Sequence, residues 1–198
     1  MPTKTFLNLP IDKQNMIIES AKKEFSNVLF KDASINNIVK MSKISRGSFY
    51  MYFESKEDIY FYILKDYKER YKKLIHDSLR KTNGDIILSL RNIFKHIIST
   101  NYSTETTCFL KKVFQNMHYF DEKKFMFDDI KSSSLDILEL INSDLFITKK
   151  EEEIKCFLRL LFHITMPSLV NVFMSNEKDL IYKNYCLELD ILKRGFYR

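Results

Sequence analysis

The sequence predicts an all-α protein: a small N-terminal three-helix unit carrying a helix-turn-helix, followed by a larger helical domain. Three observations predict it. Glycine and proline are scarce, three of each in 198 residues, whereas sheets joined by tight turns usually need more. Apolar residues recur at three- and four-residue steps along most of the chain. Ser34, Ser45 and Ser55 each stand where they can cap a new helix, with short amphipathic segments after the first two and a long one after the third.

The first predicted helix starts near Asp12, with Asp12 as cap and Ile11 and Met16 as a hydrophobic staple. Ile17, Ala21, Phe25 and Val28 or Leu29 give it one apolar face, and it fades near Asn27. Ser34 caps the second helix, which points Ile35, Ile38 and Val39 inward and ends near Met41. Ser42-Lys43-Ile44 forms the turn, with Ile44 plugging the core. Ser45 caps the third helix. Phe49 and Phe53, one turn apart, pack on the first helix, which turns Arg46, Gly47, Ser48, Met51 and Tyr52 broadly outward.

Ser55-Lys56-Glu57-Asp58 has the form of a capping box, with acids where the helix dipole favours them. The fourth helix is long. Ile59, Ile63, Tyr67, Tyr71, Leu74 or Ile75 and Leu79 carry its stripe until Thr82-Asn83-Gly84 stops it. Beyond Gly84 helical patterns run over about 85–100, 104–117, 122–142, 149–174 and 177–193. Thr148 and Glu151 suggest another capping box, and Gly195 after Lys193 and Arg194 suggests a helix end. Pro167, deep in a helical pattern, should kink its helix. These readings place the domain boundary between residues 54 and 55.

The net charge is +6, and residues 1–56 hold nine Lys/Arg against five Asp/Glu. The smaller N-terminal piece therefore carries most of the excess, which suggests an anionic partner such as DNA or a membrane surface. Cys108, Cys156 and Cys186 are widely spaced, and neither a Cys-x-x-Cys pair nor a nearby His suggests zinc. They read as reduced thiols of a cytoplasmic protein. No apolar targeting segment opens the chain. Residues 156–174 are apolar but interrupted by Arg159, His163, Pro167 and Asn171, and read as a helix buried by protein rather than a membrane span.

The chemistry concentrates between Ser34 and Lys56. Ser45 and the first amides of the third helix can donate to a phosphate. Arg46 can reach a phosphate or, bidentately, a guanine edge. Ser48 and Met51 are placed for base edges, and Tyr50 and Tyr52 offer hydroxyls to phosphates. One of those tyrosines could be core instead, with Tyr50 favoured as the ligand. Ser34 and Lys56 could clamp the backbone on either side. Glycine in a helix interior costs about 1 kcal/mol relative to alanine. Gly47 is thus explained either by close packing of the second and third helices or by close approach to DNA.

Residues 33–59 resemble the DNA-binding signature of TetR-type (TetR/AcrR) transcriptional regulators. That signature has a Ser/Thr and an apolar residue opening the second helix, then Ser-Lys/Arg-Gly-Ser/Thr, an apolar residue, Tyr, and later Phe and Ser-Lys-Glu. Here it is carried by Ser34, Ile35, Ile38, Val39, Ile44, Ser45, Arg46, Gly47, Ser48, Phe49, Tyr50, Phe53, Ser55, Lys56 and Glu57. One departure stands out. Lys43 occupies the turn position usually held by glycine, so it must take a left-handed backbone or reshape the turn.

The resemblance implies a helical C-terminal domain, a homodimer, double-stranded DNA with a roughly palindromic operator as partner, and a small-molecule inducer. Tyr62, Phe94, Phe109, Phe114, Met117 and His118 are candidates to line an apolar or aromatic ligand pocket, although aromatic residues at helical spacing are usually plain core. Leu158, Leu161, Phe162, Thr165, Leu169, Val172 and Phe173 on one helix, with Leu180, Asn184, Leu187 and Ile191 on the next, could build a four-helix dimer seam, or be core of the single chain. Arg159 and His163, one turn apart, fit interface partners. No catalytic, metal or cofactor-binding arrangement is visible. The expectation is a repressor rather than an enzyme, with a protein-controlled DNA-binding regulator as the alternative.

Overall fold

The chain is described by a computed structural model at residues 1–100, 104–116 and 137–198. The helices are α1 Lys4–Leu7, α2 Ile11–Asn27, α3 Ile35–Met41, α4 Arg46–Tyr52, α5 Lys56–Lys81, α6 Ile86–Ser99, α7 Thr104–Asn116, α8 Glu151–Met174 and α9 Lys178–Phe196. The four N-terminal helices expected from the sequence are α2 to α5. No strand occurs among the described residues, only a bridge pairing Phe146 with Tyr197. Two compact units result. One contains Met1–Tyr71 and α7, the other the described residues of Lys72–Asn101 and of His118–Arg198.

In the first unit Ile17, Ala21 and Phe25 of α2 are buried with Ile38, Phe49, Phe53, Ile59 and Tyr60. All but Tyr60 are positions that the sequence pattern marks as inward. Phe25, Phe30 and Tyr60 form an aromatic cluster with centroid separations of 4.8–5.9 Å. Helix α1 is an addition that the sequence reading did not contain. Thr3 caps it by accepting from the Phe6 N–H at 3.3 Å, and Phe6 inserts against Phe53 at 4.7 Å. A single turn is too short to show a period. Helix α7 packs along α2, with Phe109 stacked on Tyr67 at 5.4 Å.

The second unit is built on α6, α8 and α9. Phe94 stacks on Tyr185 at 4.2 Å, and Tyr185 shares a 2.9 Å hydroxyl hydrogen bond with Thr165. Asp85 caps α6 through the Leu88 N–H at 3.0 Å. Its carboxylate also accepts from the Tyr197 hydroxyl at 2.9 Å, which ties the end of the chain to the start of α6. Helix α5 stops as the sequence implied. Asn83 and Gly84 take φ of +51° and +80°, and the Gly84 N–H reaches the Leu79 carbonyl at 2.8 Å, the long-range bond of a Schellman ending.

Several local expectations are corrected. Helix α2 starts at Ile11 behind Pro10, without a side-chain cap, so Asp12 lies inside the first turn. Ile11 and Met16 are exposed rather than stapled. Helix α8 starts at Glu151, and the Thr148 hydroxyl accepts from the Lys150 N–H at 3.2 Å instead of capping the helix. Gly195 lies within α9, which ends at Phe196. Pro167 lies inside α8, as its place deep in a helical pattern implies, and is exposed. The segment expected 122–142 is described only from residue 137, where helix gives way at Ile141 to a 3₁₀ turn, Ser143–Leu145.

The dimer-seam residues divide. Leu169, at 5% exposed, faces its own core with Leu161, Thr165 and Val172. Leu158, Phe162 and Phe173 are half-buried, whereas Leu180, Leu187 and Ile191 are exposed. The outward side of α8 carries Leu160, His163, Pro167 and Met174 instead. Apolar residues surround α8 almost completely, so periodicity alone could not tell the inward stripe from the outward one. Its apolar stretch has a mean hydropathy of 1.5 and is only 28% buried. The expectation of a helix buried by the protein holds for one face only.

Candidate nucleic-acid interface

Helix α4 is presented by a turn whose backbone the sequence constrained closely. Ser42 is buried and its hydroxyl donates to the Ile38 carbonyl at 2.7 Å, closing the end of α3. Lys43 adopts φ +52°, so the left-handed alternative for this non-glycine residue is the one the turn takes. Ile44 is half-buried. Ser45 caps α4 by accepting from the Ser48 N–H at 3.0 Å.

Helix α4 then splits cleanly into two faces. Phe49 is sealed inside, and Phe53 just past the helix end joins it. Arg46 and Gly47 are exposed, with Tyr50 at 45% and Met51 at 60% exposure. Ser48 is half-buried, with its hydroxyl 2.9 Å from that of Ser45. The Arg46 guanidinium is held over this face, 2.9 Å from Asn36 Oδ1 on α3, 3.4 Å from the Tyr50 hydroxyl and 5.8 Å from that ring's centroid. Asn36 is a member of the cluster that the sequence reading missed. Its signal was present in the helical pattern, since Asn36 falls on the side of α3 opposite Ile38.

A Cβ added at Gly47 would meet only Ser45 Oγ, at 3.7 Å. Packing between α3 and α4 therefore does not require the glycine. Ser34 begins α3 without a side-chain cap hydrogen bond, so its hydroxyl is not spent on the helix it precedes.

Two of the expected contact residues make contacts within the chain. Tyr52 is 7% exposed and packs 6.1 Å from Phe6. That burial takes it off the outward face, because the ring closes the core between α1 and α4. Lys56 turns its ammonium onto the chain itself, toward the carbonyls of Phe30, Lys31 and Ala33.

Of the residues expected to line a ligand pocket, Tyr62 and Phe109 lie in the first unit and Phe94 in the second. Tyr62 belongs to the first unit, 5.8 Å from Phe6 and 6.1 Å from Phe53. Phe94 is buried in the second unit against Tyr185. Phe109 is buried beside Tyr67 and borders a shallow polar cleft of about 80 Å³ with Glu19, Lys22, Glu105 and Thr106. That is well below the 300–1,000 Å³ usual for small-molecule sites. These rings pack on other rings, as aromatic residues at helical spacing commonly do. The Phe114 side chain, Met117 and His118 lie outside the described residues. A different group attracts notice: His76 Nε2 on α5 is buried without a hydrogen-bond partner among the described residues.

Comparison with known proteins agrees with this geometry. Residues 17–63 match the family model described as bacterial regulatory proteins, tetR family. Residues 85–196 match that of the tetracyclin repressor-like C-terminal domain. Two relatives from Bacillus subtilis (strain 168) are uncharacterized HTH-type transcriptional regulators. YdgC is 33% identical over 88 residues, 44% of this chain and 43% of that protein. YuxN is 36% identical over 75 residues, 37% of this chain and 25% of that protein. The chain thus spans less than half the length of these relatives in the matched regions. Two solved structures share the fold. A putative TetR-family regulator from Mesorhizobium loti MAFF303099 gives a TM-score of 0.65 at 13% identity, covering 95% of this chain and 98% of that one. A TetR family regulator from Chloroflexus aurantiacus J-10-FL gives 0.54 at 21% identity, covering 100% and 99%.

Proposed function

This chain belongs to the TetR family and is a helix-turn-helix transcriptional regulator, and we propose that it acts as a homodimeric repressor released from DNA by a small apolar or aromatic ligand. Each protomer sets α4 into the major groove of one half of a roughly palindromic operator. The observation that carries this reading is the outward side of α4. It presents Arg46, Gly47, Tyr50 and Met51 to solvent, with a glycine that the fold itself does not use.

Arg46 and Ser48 read base edges there, and Met51 meets a thymine methyl. Ser34, Ser45 and Tyr50 face phosphates, and Gly47 gives the duplex room to approach. The dimer reading is supported within the second unit by apolar side chains left in solvent by the single chain, Leu160 and Met174 on α8 and Leu180, Leu187 and Ile191 on α9. A stripe of this kind usually marks an interface. Such a regulator works in the cytoplasm and carries out no reaction of its own.

The inducer reading rests on family membership and on His76 Nε2, which has no hydrogen-bond partner among the described residues and would offer a ligand one hydrogen bond. A ligand releases the protein only if it binds the DNA-incompetent state more tightly. The filled surroundings of Tyr62, Phe94 and Phe109 favour a second reading, a regulator controlled by a protein partner without a small-molecule inducer.

A gel-shift series tests the placement of α4. Tyr50→Phe should weaken binding to every sequence alike, whereas Arg46→Ala and Ser48→Ala should change which sequences are preferred. If all three variants bind as the parent does, α4 is not the reading element.

A further inference from the structure

We propose that Lys56 and Glu24 are positioning residues that fix where α3 begins, and that Lys56 is not among the phosphate-contacting cations. The inference rests on the DNA-binding reading above and refines it. A lysine ammonium has three N–H donors and no acceptor. Lys56 Nζ lies 2.7 Å from the Phe30 carbonyl oxygen, 2.9 Å from that of Ala33 and 3.2 Å from that of Lys31. It also sits 4.7 Å from the Phe30 ring centroid. All three donors are therefore matched by the chain itself. Leaving for a phosphate would forfeit three charge-assisted hydrogen bonds.

Glu24 grips the same segment from the other side. It is a carboxylate on α2, only 5% exposed. It accepts from the Ser34 N–H at 2.8 Å, and its two oxygens lie 3.1 and 3.2 Å from Asn37 Nδ2. Ser34 is the cap of α3 and Asn37 stands three residues on. In a capping box the acid at that third position bonds the cap N–H. Here Asn37 cannot supply the charge, and a carboxylate from a neighbouring helix takes over. A buried charge is tolerated on the condition that it is hydrogen-bonded, and Glu24 meets it. Residues 30–37 are thus held by a cation from α5 and an anion from α2, and the register of the helix-turn-helix depends on both.

The test uses the full chain carrying Lys56→Met, Lys56→Arg, Glu24→Gln or Glu24→Ala. Duplex affinity is measured across a salt series, and amide exchange is followed by mass spectrometry in the free protein. The expected result for Lys56→Met is weaker binding to all duplexes with an unchanged slope of log affinity against log salt. Exchange in residues 29–38 should quicken by about tenfold, the lower end for losing hydrogen bonds to a charged group. Lys56→Arg should not restore affinity, because a planar fork cannot meet three converging carbonyls. Glu24→Ala should quicken exchange in the same peptide, and Glu24→Gln, which keeps an acceptor, should do so less.

A slope that falls by about 0.9 in Lys56→Met, the value for one lost phosphate contact, overturns the proposal whatever the exchange shows. So does full affinity in Lys56→Arg, or unchanged exchange in 29–38. If the parent protein shows no salt-dependent duplex binding, the DNA reading fails separately. Exchange alone then decides the clamp, with acceleration upholding it and its absence removing it.

Discussion

Gly47 occupies the first turn of α4, on the side facing solvent, where alanine would stabilise the helix and clash with nothing but a contact at ordinary distance from Ser45 Oγ. Gly47→Ala should therefore leave the melting temperature unchanged or raise it, by up to about 1 kcal/mol of stability, while duplex affinity falls. A variant that gains stability and keeps its affinity would show that the duplex does not approach α4 at this point. Arg46→Ala should cost about 1–3 kcal/mol of discrimination at the base pair it reads, seen as a relaxed preference at one position of each half-site. At this scale the sequence was legible where a residue type is restricted by backbone or by patterning. Ser45 caps, Phe49 is core and Lys43 takes a left-handed φ for those reasons. It was not legible where a long side chain can choose between partners. Lys56 matches the family signature, yet only three-dimensional closeness to a turn more than 20 residues upstream shows where its ammonium goes. Tyr52 stands beside an outward residue in sequence, and the unforeseen α1 supplies the Phe6 that covers it.

At the scale of elements the long helices were legible because many turns average out local ambiguity, and their ends were less so. Asp12 and Thr148 are good capping residues by type, but Pro10 and Lys150 hold the cap positions. The end of α5 was clear because Asn83 and Gly84 both need positive φ. A Cβ at Gly84 would fall 2.4 Å from the Asn142 nitrogen and 2.7 Å from the Leu140 carbonyl oxygen, both backbone atoms. Gly84→Ala should thus destabilise the second unit by more than the usual 0.4–1 kcal/mol scale of glycine substitutions, measurable in a denaturant titration. The Tyr197 latch on α6 gives a pH signature. Burial first, and then donation to the Asp85 carboxylate, push its hydroxyl well above the ordinary value of 10.0. A group whose pKa is raised on folding contributes its stability fully below the unfolded value and loses it as pH climbs toward the folded one. Melting temperature should therefore decline above pH 10 in the parent, and Tyr197→Phe should start lower at neutral pH and lose part of that alkaline decline. An identical alkaline profile in both proteins would remove the latch from the account.

At the scale of the whole molecule, the last helices of the second unit leave apolar side chains in water. Leu187 and Ile191 are more than half exposed in the single chain. If a second copy covers them, Leu187→Glu with Ile191→Glu should give a folded monomer in analytical ultracentrifugation, with much weaker operator binding because two linked half-sites become one. A variant still dimeric would place the seam elsewhere. Fold class was legible from glycine scarcity and helical periodicity, and the helix-turn-helix from a local signature. Which side of α8 faces outward was not, since Leu160 and Leu161 are equally apolar and only the packing of Leu161 inside the chain tells them apart. Selection of bound sequences from a random pool of duplex DNA at low salt tests the central claim most directly. Two inverted half-sites whose centres lie about one helical turn apart, or a multiple of it, should be enriched, with a relaxed preference at one position of each half-site in Arg46→Ala. A folded protein that enriches no duplex, or enriches the same sequences with and without Arg46, would contradict it.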